Sequence, residues 1–285
     1  MTDPTDRTPT GRTQVVSVDG DTILLQDGEQ GPELADVPPP PAAAGHVTGT
    51  DAQGRPYVAV PCDDVAPGTR RARLIDVLDD LPPAQVGIAL RAVGFHQWAR
   101  ASPHCPQCGN PADLRPDGRS RWCANCATEH YPRTDPAVMM SVTDDRDRLL
   151  LARRAVAPPG RMSPPAGFVE PGETAEEAAA RELLEEVGVR TTDITYVGSQ
   201  PWPFPGSLML AFAMRASSPR ITVDGKEIVA AQWFTRGRLE AAIRARALVP
   251  PPPGSLAATL VKRWYGPAYD TLTEHAADSD PFLRN

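Results

Sequence analysis

The chain has 285 residues, with 36 acidic against 29 basic side chains, a formal net charge of −7 at neutral pH and a pI near 5.3. That length exceeds an average single domain and has room for two lobes and a small metal module, and a hydrophobic content of 41% suffices for their cores. The acidic balance argues against bulk nucleic-acid binding, no apolar run approaches the ~20 residues of a membrane span, and the polar start Met1 to Arg7 does not resemble a signal peptide.

From Gln14 to Asp27, Val16 and Val18 and then Ile23 and Leu25 alternate around Asp19-Gly20, which signals a hairpin. Pro38 to Pro41, followed by three alanines, reads as a spacer or crossing loop. Tyr57 to Val60 is a short apolar strand, which Pro56 and Pro61 are expected to confine to an edge or a brief pairing. Helices are expected over Thr69 to Leu81 and Pro83 to Ala101, the second offering Leu90, Phe95 and Trp98 for packing. Residues 1–101 thus form an α+β lobe whose own chemistry is not visible. Arginines cluster at 70, 71 and 73, at 115, 119 and 121, and at 153 and 154, each reading as a solvated patch.

Residues 102–132 carry Cys105-Pro-Gln-Cys108 and Cys123-Ala-Asn-Cys126, two knuckles with fourteen residues between them. Four thiolates in this spacing can close a tetrahedron around a structural zinc; a redox dithiol, the rival reading, needs only one such pair. Cys62 reads as a lone buried thiol, and His46, His96, His104, His130 and His275 as ordinary surface or core residues. Thiols in metal spacing, without an export signal, indicate the cytoplasm.

Strands follow at Ala137 to Val142 and Arg148 to Arg153. The segment from Gly167 to Val189 then sets a glycine turn and Glu173 ahead of an alanine-rich helix, with Thr174 as N-cap and Gly188 as its stop. Glu182, Glu185 and Glu186 stand at i, i+3 and i+4 and share a face, leaving Leu183, Leu184 and Val187 to pack on a sheet. Like charges this close repel by about 4 kcal/mol per pair at roughly 4 Å and an effective dielectric near 20. A divalent cation removes that cost, and an all-oxygen ligand set suits Mg²⁺ or Mn²⁺. A solvated acidic face is the alternative, but it leaves Gly167, Glu173 and Arg181 unexplained.

After a strand at Ile194 to Gly198 comes Ser199-Gln-Pro-Trp-Pro-Phe-Pro-Gly-Ser207, where alternating prolines stiffen a loop and preset its rings. Such rings can stack on a flat base or merely cap a core. Strands at Leu208 to Arg215 and Glu227 to Phe234, helices at Arg236 to Arg246 and Ser255 to Tyr265, and a loosely held polar tail from Thr271 complete the chain. Mixed sheet flanked by helices makes this part an α/β/α sandwich.

With every position filled, Gly167 to Val189 closely resembles the signature of the Nudix hydrolases, which cleave diphosphates linked to another moiety. Ser199 to Ser207 resembles the SQPWPFPxS motif of the NADH pyrophosphatase (NAD diphosphatase) family. Tyr131 to Val138 is similar to that family's YPRxDPAV junction, and Pro251 to Ala257 to its PPPGSIA loop, with Leu256 for isoleucine. The resemblance covers about residues 103 to 265 and implies a Nudix sandwich with a zinc ribbon and an N-terminal α+β domain: residues 1–101, 102–132 and 133–270, with a tail at 271–285.

It also implies roles. Glu182 and Glu186 become the main Mg²⁺ or Mn²⁺ ligands, assisted by Glu185, with the Ala166 carbonyl and Glu227 completing the set and Arg181 paired to Glu173. Tyr131 contacts the nucleotide and Phe168 opposes it across the nicotinamide, unless Tyr131 only packs the ribbon. Gln200, Pro201, Trp202, Pro203, Phe204, Pro205, Gly206 and Ser207 line the substrate, and Ala257 contacts it by main chain. The family's substrate-binding acid between the knuckles has no secure counterpart in Asp113 or Asp117. The implied activity is hydrolysis of NAD(H) to AMP and nicotinamide mononucleotide by a cytoplasmic homodimer. Removal of an NAD cap from RNA by the same site is the alternative. A zinc-ribbon sensor or regulator with an inactive Nudix domain is the reading from another class; such proteins often lose the acids this chain keeps.

Overall fold

The hairpin expected around Asp19-Gly20 is formed by β1 (Gln14–Asp19) and β2 (Thr22–Gly28), with Asp19 opposite Thr22 and Gly20 at φ 62°, in the left-handed region that glycine tolerates. The computed structural model describes residues 14–29, 31–35, 46–50, 56–61 and 67–277, so the Pro38 spacer and Cys62 lie outside the described residues. Two compact units divide the chain: Met1–Thr134 with Trp202–Gly206, and Asp135–Pro201 with Ser207–Asn285.

In the first unit, β3 (Gly31–Leu34), β4 (His46–Thr50), β5 (Pro56–Pro61) and β6 (Thr69–Arg73) join the hairpin in a sheet of order β3-β2-β1-β5-β4, with β6 also paired to β2. Here β5 is interior, parallel to β1 and antiparallel to β4, not an edge. Its prolines occupy only the two ends, so Tyr57 to Val60 keep the amides a two-sided ladder requires. The helix expected over Thr69 to Leu81 is likewise corrected, to strand β6 and the short α1 (Leu74–Val77). Thr22 to Gln26 of β2 offers a ladder for Thr69 to Arg73, and this distant pairing outweighs local propensity. Only Ala72 turns towards the core, while Arg71 and Arg73 reach Asp19 at 3.5 Å and Asp21 at 3.3 Å.

Helix α2 (Pro83–Ala101) begins on proline and buries Ala89, Ala92, Val93 and His96; Leu90 is buried as expected, whereas Phe95 and Trp98 are half-buried. A small sheet of β7 (Asp113–Leu114), β8 (Arg121–Cys123) and β9 (Thr128–His130) follows.

The second unit is built on β10 (Asp135–Thr143), β11 (Leu149–Arg154), β12 (Ala166–Phe168), β13 (Thr191–Trp202), β14 (Ser207–Ala216) and β15 (Ile228–Phe234), in the order β13-β14-β10-β11-β15 with β12 also on β10. Strands β10 and β14 run parallel from Asp135 opposite Ser207 to Thr143 opposite Arg215. Alternation splits β11 between two cores. Leu150 and Ala152 pack with Ala178, Leu183 and Val187 of α3 (Ala175–Val187). Leu149 and Leu151 pack with residues of α4 (Arg236–Arg244), α5 (Leu256–Tyr265) and α6 (Tyr269–Ala277). All three leucines are fully buried, each contributing roughly 1.5–3 kcal/mol relative to exposure. The sheet lies between α3 on one face and α4, α5 and α6 on the other: an α/β/α sandwich. Helix α6 corrects the first part of the loose tail expected from Thr271, because Tyr269 and Leu272, three residues apart, bury themselves in the same core; the tail beyond Ala277 lies outside the described residues.

The β10–β11 hairpin is closed by Asp144, whose buried carboxylate accepts from the Arg146 and Arg148 amides at 3.1 and 2.9 Å and from Arg148 Nε at 2.8 Å. Burial pushes its pKa up, but these donors prevail and hold it below the usual carboxylate value. Asp144→Ala is expected to cost about 3 kcal/mol in urea unfolding at neutral pH. Because the folded-state pKa is depressed, this contribution is present above the unfolded value and is lost as pH falls through the folded one. The gap between wild type and variant therefore closes on acidification below about 4.

Candidate active site

Helix α3 is placed by its own ends. Thr174 Oγ1 accepts from the Glu177 amide at 3.2 Å while Glu177 Oε2 accepts from the Thr174 amide at 2.8 Å, a reciprocal capping box, and Gly188 ends the helix at φ 69°. Leu183 and Val187 face the core as expected, but Leu184 is exposed. The three glutamates differ sharply: Glu186 is 4% exposed, whereas the Glu185 side chain is 61% exposed and points to solvent.

Arg181 ties this helix to the loop before it. Its Nε and Nη2 meet the two Glu173 oxygens at 2.6 and 2.9 Å, and Nη2 also donates to the Phe168 carbonyl at 2.9 Å. Nη1 lies 3.0 Å from both Glu182 Oε1 and Glu185 Oε2. The Arg181 hydrogen bonds hold the Glu173 carboxyl down at about 2.

Gly167 does not make the turn expected of it; it sits in β12, opposite Val138. The turn belongs to Gly172, at φ 95°. What Gly167 supplies is room, since a Cβ there would stand 2.0 Å from Glu182 Cδ. The Glu182 carboxylate therefore rests on backbone one residue beyond Ala166.

Neither carboxylate oxygen of Glu186 has a hydrogen-bond partner. Burial, then the neighbouring charges of Glu182 and Glu227, push its pKa up to about 8, with Arg154 opposing. Glu227, expected on a strand, lies just before β15. The Asp224 carboxylate accepts from the Glu227 and Ile228 amides at 2.9 and 2.8 Å, and Glu227 Oε1 pairs with Arg154 Nη2 at 2.7 Å.

A buried, partnerless carboxylate among further acids is unfavourable by itself and suits a hard divalent cation. Glu182, Glu186, Glu227 and the Ala166 carbonyl are the residues that could hold Mg²⁺ or Mn²⁺. Among the described residues these carboxylates do not form a group of three within 4.8 Å of one another as the cysteines form one of four; Arg181 and Arg154 pair with Glu182 and Glu227.

Ser199 to Trp202, expected in a loop, extend β13 instead. Gln200 uses both ends of its amide on the proline loop, donating to the Gly254 carbonyl at 2.6 Å and accepting from the Leu256 amide at 2.7 Å. It thus clamps the start of α5, where Ser255 caps the Ala258 amide at 3.2 Å. Ala257 lies between these two engaged amides, in the first turn, where helix N–H groups lack intrahelical acceptors.

Trp202 to Gly206 belong with the first unit: Phe204 packs on its core, Trp202 stands edge-on to Phe204 at 5.1 Å, and Gln97 donates to the Pro203 carbonyl at 3.0 Å. Pro203 is buried, Pro201 and Pro205 are exposed, and Ser207 opens β14. Tyr131 and Phe168, in the first and second units, are 62% and 60% exposed; Tyr131 Oη donates to Glu129 at 3.0 Å. Asp117 accepts from the Arg119 amide at 3.0 Å, and Asp113 opens β7.

In the ribbon, all four cysteine sulfurs lie within 4.8 Å of one another and none is in a disulfide. Their contacts of 3.4 to 3.6 Å approach the ~3.8 Å edge of a tetrahedron with metal–sulfur bonds of about 2.3 Å, so the group fits zinc. The Asn110 side chain, 3.5 Å from Cys108 Sγ, and its backbone amide hold that thiol down at about 6, favouring the thiolate a metal needs. His130, which carried no ligand spacing, places Nε2 3.1 Å from Cys105 Sγ and 3.2 Å from Thr128 Oγ1. A neighbour of this kind orients a thiolate from outside the ligand set. Cys123→Ser is expected to remove zinc from the purified chain, measured by elemental analysis, and to open the ribbon to limited proteolysis.

Residues 133–251 match the NUDIX domain model and residues 100–131 the NADH pyrophosphatase zinc ribbon domain. The chain is 39% identical over 223 residues to the NAD-capped RNA hydrolase NudC of Mycobacterium bovis (strain BCG / Pasteur 1173P2), covering 75% of this chain and 69% of that one. It is 44% identical over 154 residues to the NudC of Chromobacterium violaceum, covering 54% of this chain and 58% of the other. With the human NAD-capped RNA hydrolase NUDT12 it shares 37% identity over 196 residues, 65% of this chain and 42% of the human protein, so the match spans less than half of that relative. The chain belongs to the NADH pyrophosphatase family of the Nudix hydrolase superfamily.

Proposed function

We propose that this chain hydrolyses the diphosphate bond of NAD(H), adding water across the bridge to release AMP and nicotinamide mononucleotide. The observation that carries this reading is the Glu186 carboxylate, buried, without a hydrogen-bond partner and facing Glu182 and Glu227. Mg²⁺ or Mn²⁺ bound there supplies charge neutralisation on the diphosphate and activation of water.

The chain's own residues supply the rest. Glu182, Glu186, Glu227 and the Ala166 carbonyl hold the ions, and Glu185, exposed and paired to Arg181, assists. Tyr131 and Phe168 take the nicotinamide, and the stretch from Gln200 to Ser207 recognises the dinucleotide with the Ala257 main chain. We assign residues 1–101 to an N-terminal domain, 102–132 to the zinc ribbon and 133–270 to the Nudix domain, with 271–285 beginning as the α6 turns that pack on that domain through Leu272, in a homodimer of the cytoplasm. No helix among the described residues is long and apolar enough to cross a membrane.

Purified protein with Mg²⁺ or Mn²⁺ should convert NADH into AMP and reduced nicotinamide mononucleotide, identified by mass spectrometry. Cleavage of nucleoside triphosphates alone, with NADH and NAD⁺ left intact, sinks the reading. The names of the relatives favour a second substrate, NAD-capped RNA, for the same site. Turnover of capped RNA that falls with salt more steeply than that of NADH supports contact with the RNA tail.

A further inference from the structure

Arg154 ends β11 where its ladder slips. Pairing with β15 is regular from Leu149 opposite Phe234 to Arg153 opposite Ala230, then skips to Arg154 opposite Ile228. An irregularity of this kind re-aims a side chain. The Ala155 amide donates to the Glu227 carbonyl at 2.8 Å, so the two segments are joined through backbone as well as through the ion pair of 2.7 Å.

The two arginines near the acids are differently committed. Arg181 is largely buried and shared among Glu173, Glu182, Glu185 and the Phe168 carbonyl. The Arg154 side chain is 57% exposed and meets Glu227 through Nη2 alone, which leaves most of its fork for a ligand.

We propose that Arg154 exchanges partners during binding: it neutralises Glu227 before a divalent cation arrives, then turns to a phosphoryl oxygen of the diphosphate once the cation has taken Glu227. This rests on the reading of Glu227 as a metal-binding acid in NAD(H) hydrolysis. A guanidinium and a dication repel each other at one carboxylate, so binding of the ion releases the arginine. The diphosphate brings negative charge to the same place, in a geometry that a planar fork matches.

The test uses Mn²⁺ alone, titrated into the full-length protein without nucleotide and followed by electron paramagnetic resonance, and then the KM for NADH at saturating Mn²⁺. Arg154→Ala is expected to bind Mn²⁺ roughly two- to fivefold more tightly, because a competing exposed ion pair is gone. Its KM for NADH should rise by about tenfold or more, with a smaller change in kcat. Arg154→Lys should bring Mn²⁺ affinity back towards wild type and recover only part of the KM, since it restores the charge without the fork. A purely structural role would weaken both ligands together. Unchanged or weaker Mn²⁺ binding in Arg154→Ala, or an unchanged KM, overturns the proposal alone if the wild type binds Mn²⁺ and cleaves NADH. A wild type that does neither overturns the functional reading and this proposal with it.

Discussion

Glu186→Gln is expected to lower NADH turnover by about a thousandfold or more while the chain stays folded. The substitution keeps size and shape and replaces a carboxyl group whose oxygens have no hydrogen-bond partner and which burial already holds largely neutral without metal, so circular dichroism and the metal-free melting temperature should be preserved. The distinguishing measurement is the response to Mn²⁺. A ligand that binds only the folded state raises its stability by about 2.7 kcal/mol at a hundredfold excess over Kd. The wild type should show that shift and the variant should lose most of it. Near-normal turnover, or an undiminished Mn²⁺ shift, would remove Glu186 from the site.

Gly167→Ala is the second substitution expected to act strongly, with turnover falling by roughly a hundredfold or more, because displacement of a catalytic group by about 1 Å can carry such a cost. The new methyl would lie 2.0 Å from Glu182 Cδ, and the side chain that must yield is a proposed ligand. The Gly167 backbone is ordinary β-strand, so the chain itself accepts alanine and the loss should appear in kcat and Mn²⁺ affinity rather than in folding. Gly172→Ala is the control. At φ 95°, with no atom close to its Cβ, it should cost about 1 kcal/mol of stability and little activity. Equal damage from the two would refute the steric account.

These two glycines also mark the limit of reading the sequence. Helix α3 was legible because every determinant is local: Thr174 and Glu177 cap it, Gly188 stops it, and Arg181 reaches Glu173 within the same segment. The cysteine knuckles carry their own spacing, and they do converge. Gly167 resembles a turn in the sequence because its true constraint comes from Glu182, on another element. Strand β6 looked helical because its partner, Thr22 to Gln26, lies far away in the chain, and β5 looked marginal because the effect of a proline depends on where the ladder ends. His130 and Arg154 left no trace in spacing, since each matters through one contact made by folding.

The segment from Trp202 to Gly206 has a further implication. Both its flanks continue as strands of the second unit, while Phe204 and Pro203 are held by the first. A shortened clone starting at Asp135 would thus strand an oily tip in water, inviting aggregation, and anyone wishing to crystallise the hydrolase lobe separately should redesign that corner beforehand.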